Sequence, residues 1–406
     1  MTASKITRNF LCTNGRKIVD AQGHPVLLRG VNLGGWLMME GYLLHSPNRA
    51  EQIFKKDFAA VLGKDALKAF ERDFRQSFIQ ESDFRRIADW GFNCVRLPFN
   101  SRLIEEKPYQ YSQEGLKHLK RAVAWGKKHK VWIILDLHAA CGAQNCDWHS
   151  DSLGSAELWT KRVLQERAFA LWKFLADQFK HEDGIAGYDL LNESVVADVG
   201  ILNDFYTRLI KSIRSVDRNH ILFVEGNRWA QDLEGLEDFS DDNLSLSIHC
   251  YAPLEFTCNL IPHLRYPLKS TAGAWDKSRM RQLLSGYQKF SQKRSRPIYL
   301  GEFGVTGRGG FYGEDKWVED MLNCCAELGF HWTYWTYKAV KNSMFPDGII
   351  SYFDNPPWVN RVGPLGGWET YPMHWKENRA AIIRFWQSDG FRENESILKV
   401  LKNALR

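Results

Sequence analysis

No apolar run reaches the roughly 18 residues that a membrane-crossing helix needs. The chain opens on MTASKITRNFLC, without the apolar stretch of a secretory signal. The protein is therefore expected in the cytoplasm, or outside the cell if the chain is already processed or leaves by another route. Cysteine is sparse: eight in 406 residues exclude a disulfide framework. Cys94 and Cys250 fall in apolar runs and read as buried thiols, and Cys324 and Cys325 are adjacent on a helix. Cys141 and Cys146 share a loop, which leaves a disulfide between them open. There is no HExxH and no CxxC pair, so neither a metal nor another cofactor is expected. There is no GxSxG elbow, which excludes a serine hydrolase of that type. No glycine-rich loop opens a first helix, which argues against a doubly wound nucleotide-binding sheet. An excess of one charge is also lacking. Lys and Arg number 54 against 48 Asp and Glu, a net charge of +6, and the basic runs 127–130 and 292–296 each close a helical segment, where the helix dipole favours them. Nucleic acid is not an expected partner, nor is an integral membrane position.

What the chain does have is alternation. Strand-like apolar runs stand at 26–35, 94–99, 131–138, 185–193, 220–227, 244–251, 297–304 and 331–338. They are apolar on both faces, as buried parallel strands require. Helical periodicity separates them: Leu116, Leu119 and Val123 after a Ser112 cap, then Leu202, Phe205, Leu209, Ile213 and Val216. Residues 159–181, 277–293, 313–329 and 394–405 read likewise. Eight strand–helix units predict one domain over 1–406, an α/β fold of the (β/α)8 barrel type, with 8–25 as a hairpin under its bottom. The long connections 139–158, 252–274 and 339–376 all follow strands. They would lie at the C-terminal face, where such barrels keep their sites.

Polar residues collect at those strand ends: Glu40, Arg96, His138, Asn192, Glu193, Glu225, His249, Tyr251, Glu302 and Trp335. Burying carboxylates costs several kcal/mol per ion unless partners compensate. Several such carboxylates at one barrel mouth point to chemistry rather than to stability. Two carboxylates on opposite strands suit glycoside hydrolysis, and their separation decides between retention and inversion. Sixteen Trp suit a ligand with flat C–H faces.

The segments RGVNLGGW (29–36), GFNCVRLPF (91–99), LDLHAA (135–140), LNE (191–193), HCY (249–251), GEFG (301–304) and YW (334–335) occur in the order of glycoside hydrolase family five, which the chain resembles from about Arg29 to Lys338. The resemblance implies a retaining β-glycosidase on a (β/α)8 barrel, with Glu193 as general acid/base and Glu302 as nucleophile. It implies that Arg96 and Tyr251 hydrogen-bond Glu302, that Asn192 binds the sugar 2-hydroxyl, that His138 and His249 line the reacting subsite and that Trp335 forms its floor. GGWLMMEGY (34–42) and 139–151 look most like the exo-β-1,3-glucanase branch, in which Glu40 would contact the terminal glucose, although CGAQNC and the loop after Tyr251 depart from it. In that role Glu193 must carry a proton near neutrality, so its pKa is expected to be raised.

Some readings stay open. Glu225 binds sugar or pairs with Arg228. Trp148, Trp229 and Trp358 read as loop packing rather than platforms, and Asp136 either orients His138 or fills the barrel. The expected substrate is a β-glucan, an oligosaccharide or a β-glucoside. A glycolipid β-glucosidase is the alternative, given Leu254, Phe256, Leu260 and Ile261, and a catalytically silent carbohydrate-binding barrel is the alternative of another class.

Overall fold

In the computed structural model, which describes residues 10–44, 46–270, 273–340, 344–352 and 370–406, eight parallel strands close into a barrel. They are β1 (Arg29–Asn32), β2 (Cys94–Asn100), β3 (Trp132–Ala139), β4 (Ile185–Asp189), β5 (Ile221–Glu225), β6 (Leu244–His249), β7 (Ile298–Phe303) and β8 (His331–Tyr334). The ring closes where Trp332 of β8 pairs with Arg29 of β1. All residues of β2 and of β4 to β8 are buried. This is the burial that their unbroken apolar runs predict, since helices cover the outside and side chains fill the inside.

The helices form where the periodicity places them. Gln113–His129 starts at Ser112, whose hydroxyl accepts the Gly115 N–H at 3.2 Å, and ends in Lys127, Lys128 and His129. Arg162–Phe179, Val199–Arg214, Lys277–Arg294, Glu314–Leu328 and Glu395–Ala404 match the other periodic runs.

Three boundaries differ from expectation. The run 26–35 gives only four barrel residues. Pro25–Val26 instead pairs with Lys17–Val19, which pairs with Cys12–Asn14, in a separate antiparallel sheet. Its Ile18 and the preceding Leu11 pack beneath the barrel against Cys94, Ile134, Phe223 and Tyr299. The run 185–193 leaves the sheet at Asp189, so Asn192 and Glu193 stand just beyond β4, and Trp335 stands one residue beyond β8. Between β5 and β6 there is no full helix, only the turn Asn227–Ala230. Leu233, Leu236 and Phe239 are buried there, but Gly235 at φ +77° and the Asp-rich 238–242 stop a helix from propagating. The connection 339–376 is not loop throughout either: Ile350–Tyr352 pairs with Lys338–Val340, and a helix begins at Tyr371.

Candidate active site

One buried arginine organises the barrel mouth. Arg96, in the middle of β2, has no solvent exposure. Its Nη1 donates to Glu302 Oε1 at 2.6 Å and to Asn32 Oδ1 at 3.2 Å. Its Nε donates to Asp189 Oδ2 at 2.8 Å, and its Nη2 donates to Asn192 Oδ1 at 2.9 Å and Glu225 Oε1 at 3.1 Å. Asp136 lies 3.1 Å from Nη2. Burial alone would lower the arginine's pKa, but the charges of Asp136, Asp189, Glu302 and Glu225 raise it well above its usual value. Glu225 thus takes neither role open to it from sequence. Besides Arg96 it holds the backbone of Glu193, whose N–H donates to Glu225 Oε2 at 2.6 Å. That bond helps secure Glu193 at φ +49°, a left-handed conformation that costs a side-chain-bearing residue energy.

Glu193 and Glu302 reach the same space from β4 and β7. A carboxylate oxygen of each and a ring nitrogen of His249 lie within 4.8 Å of one another. His249 Nδ1 stands 2.8 Å from Glu193 Oε1 and 3.7 Å from Glu302 Oε2. Tyr251 donates to Glu302 Oε2 at 2.7 Å. Asn192 keeps its Nδ2 without a protein partner although it is fully buried, so this donor is free for a hydroxyl of a bound molecule. His138 Nδ1 pairs with Asp136 Oδ2 at 2.8 Å, so Asp136 both orients His138 and fills the barrel. The His138 ring stacks on Trp335 at 5.4 Å between centroids. Gly304 of GEFG lets the chain pass Trp335: a Cβ there would meet the Trp335 carbonyl oxygen at 2.0 Å. Asp136, Asp189 and Glu225 also bring donor atoms within 4.8 Å. One oxygen of each already faces Arg96, whose guanidinium supplies the positive charge among them.

The loop after β3 is where sequence reasoning missed most. Gln144 Nε2 donates to the carbonyls of His138 at 2.7 Å and Asn192 at 2.9 Å. Asn145 Nδ2 donates to the carbonyl of Glu193 at 2.9 Å. The QN of CGAQNC therefore fixes the backbone that presents Glu193. The same loop brings His149 Nε2 to 3.1 Å from Glu193 Oε2. This reverses one expectation. Burial alone would raise Glu193, but hydrogen bonds from His149 and His249 hold its carboxyl well below the usual range. Cys141 and Cys146 are free thiols, as are the other six cysteines.

A cavity of about 310 Å³ opens over the two carboxylates. Glu40, His138, Glu193, Tyr251, Glu302 and Trp335 line it, as do Tyr42, His149, Leu254 and Phe345. Trp148 and Trp229 also line it, so they are not mere loop packing, whereas Trp358 lies outside the described residues. Arg96 and His249 lie behind this wall, and Asn192 is buried next to it with its Nδ2 unpartnered among the described residues. Phe256 is buried, while Leu254, Leu260 and Ile261 are exposed.

The profile of the cellulase family (glycosyl hydrolase family 5) matches residues 55–341. The chain belongs to glycoside hydrolase family 5. The enzyme is similar to a β-xylosidase of Phanerodontia chrysosporium, 32% identical over 82% of this chain and 71% of the relative. It is also similar to endoglucanase C of Acetivibrio thermocellus, 25% identical over 77% of this chain and 91% of the relative, and to glucan 1,3-β-glucosidase 2 of Wickerhamomyces anomalus, 32% identical over 48% and 49%. In fold it resembles the endoglucanase Cel5A from Thermotoga maritima, with a TM-score of 0.62 at 21% identity, over 92% of this chain and 96% of that one. The protein is thus a hydrolase of O-glycosidic bonds in β-glucans or β-glycosides.

Proposed function

We propose that this hydrolase cleaves β-glucosidic bonds with retention, through a covalent glycosyl ester on Glu302, with Glu193 as acid and then base. The observation that carries this reading is that one oxygen of Glu193 and one of Glu302 lie within 4.8 Å of each other. Retaining enzymes hold their carboxyls about 5–5.5 Å apart, whereas inverting ones need about 6.5–9.5 Å for a water. Glu302 attacks the anomeric carbon while Arg96 and Tyr251 hold its two oxygens. Glu193 protonates the departing oxygen and later takes a proton from water. Asn192 Nδ2 donates to the hydroxyl next to the anomeric carbon, Trp335 supports the sugar ring, and Glu40 with His138 holds its far side. His249 acts from behind, by bridging the two carboxylates. The whole chain serves this one barrel as a single catalytic unit.

A second reading concerns the leaving group. Trp148, Trp229, Leu254, Phe345 and Pro346 give the cavity mouth apolar walls, which would accept the lipid part of a glycolipid as well as sugar faces.

The test is intact-protein mass after incubation with an activated 2-deoxy-2-fluoro β-glucoside, followed by peptide mapping. One glucosyl adduct on the peptide bearing Glu302 is the expected result. An adduct on another residue would sink the assignment. A xyloside probe that labels while the glucoside does not would keep the mechanism and change the sugar. A steryl glucoside hydrolysed faster than a laminari-oligosaccharide would favour the second reading.

A further inference from the structure

Both oxygens of Glu193 are met by imidazole, and the two imidazoles differ. His249 is enclosed by carboxylates: besides Glu193, Glu225 lies 3.3 Å from its Nε2 and Glu302 lies 3.7 Å from its Nδ1. His149 instead lines the cavity and reaches Glu193 with Nε2 alone. Asn145 Nδ2 stands 3.0 Å from that same Nε2. The orientation of this amide is set by its other contacts, Oδ1 accepting from the Asp147 N–H and Nδ2 donating to the Glu193 carbonyl. An amide N–H directed at Nε2 favours a bare nitrogen there, with the proton on Glu193 Oε2. The negative charge of Glu193 favours the opposite arrangement. One proton therefore has two seats, 3.1 Å apart, at the edge of the reacting space.

We propose that His149 and Glu193 hold the catalytic proton jointly, with His149 as the positioning residue that keeps this proton at the acid until the glycosidic oxygen takes it. The proposal rests on Glu193 being the acid/base. In the first step the Glu193 Oε2–H bond breaks and an O–H bond forms on the leaving group. At the same time the glycosidic C–O bond breaks and a bond from Glu302 to the anomeric carbon forms. Glu193 is left as carboxylate and His149 neutral. In the second step water gives a proton to Glu193 Oε2, its oxygen bonds the anomeric carbon, and the ester to Glu302 breaks. The pair then holds one proton again, and one water has been consumed.

The surroundings fit a shared proton. The charged and titratable groups facing His149 are Glu193, Glu40 past β1, Asp147 in its own loop and His138 of β3, with 6.2 Å between the two imidazole centroids. Burial opposes a charge on His149. The hydrogen bond and charge of Glu193, with Glu40 and Asp147, outweigh it and raise the imidazole to about 9.

The test compares pH profiles of kcat/KM for the wild type, His149→Asn and His149→Ala, on phenyl and dinitrophenyl β-glucosides. Labelling of Glu302 by the fluorinated glucoside, which needs little acid help, reports that each variant site is folded. In both variants the high-pH limb should move down by at least one unit. Activity on the phenyl glucoside should fall about tenfold or more, with a much smaller loss on the dinitrophenyl glucoside. A limb that stays in place in His149→Asn overturns the proposal. So does full rescue by Asn of what Ala loses, because Asn restores packing and a donor but holds no proton. Should Glu193→Ala lose equally on both substrates, the acid assignment itself fails. A normal split in Glu193→Ala with unmoved limbs in the His149 variants overturns only the shared proton.

Discussion

Arg96 Nη1 and Glu302 Oε1 stand 2.6 Å apart across the barrel, the first fully buried and the second 4% exposed. A guanidinium at that depth is stable only because carboxylates and amides receive all three of its nitrogens. Removing one partner of such a set leaves uncompensated charge. Arg96→Met is therefore expected to lower unfolding stability by about 3–5 kcal/mol and to abolish labelling of Glu302. Chemical denaturation followed by the trapping assay checks both. A variant of wild-type stability that still labels would show that the network is dispensable.

In the proposed mechanism Glu193→Ala removes the proton donor and leaves the nucleophile. Phenyl β-glucoside turnover should fall by about 10²–10⁴, while a dinitrophenyl glucoside, which needs little protonation to leave, should still form the ester on Glu302. Burst kinetics on the activated substrate would reveal an accumulating intermediate. Equal losses on both substrates would contradict the acid role.

Glu40 gives a pH test of the folded state. Burial pushes its carboxyl up to about 7, partly offset by His138 and His149. Between about 4.5, the value of an exposed glutamate, and about 7 the native state keeps a proton that the unfolded chain has released. The Glu40 contribution therefore falls as pH rises through that window. Glu40→Gln removes the titration, so wild type minus variant should lose stability from pH 4.5 to 7 and be flat below. Urea denaturation across that range measures the difference, and parallel curves would exclude Glu40 as the group.

Trp229 offers a test at the cavity mouth. Its ring is 39% exposed, and its Nε1 donates to Asp147 Oδ2 at 2.8 Å. Both observations fit a flat surface held for a ligand rather than a core residue. Trp229→Ala should lower kcat/KM on oligosaccharides several-fold and leave a simple phenyl glucoside nearly unchanged. The same loss on both substrates would place Trp229 in the reacting subsite instead.

Most of the strand ends were legible in sequence because a charged residue closing an apolar strand has few structural explanations. Arg96, Glu302 and Tyr251 needed only strand register to find one another. His149 carried no such mark. It lies in a loop, eleven positions past His138, and its meaning depends on Gln144 and Asn145 folding that loop back onto Glu193. Glu225 was visible as a strand-end carboxylate, but that it turns inward to Arg96 and the Glu193 backbone depends on its closeness to β2 and β4. Trp148 and Trp229 read as packing because a loop tryptophan gives no sign of which way it faces.

By itself, then, the sequence determined the barrel and marked the two carboxylates at its mouth. Periodicity of 2 and 3.6 is local, and a buried charge at a strand end is local too. The tertiary structure decided which groups surround Glu193. A pKa depends on distances between groups far apart along the chain, and Glu193, His149 and His249 meet only because three strand-end segments converge on one mouth. The acid role calls for a raised Glu193, through burial or a nearby negative charge. Two imidazoles within hydrogen-bonding distance outweigh burial, and no pattern of residues along the chain gives that distance.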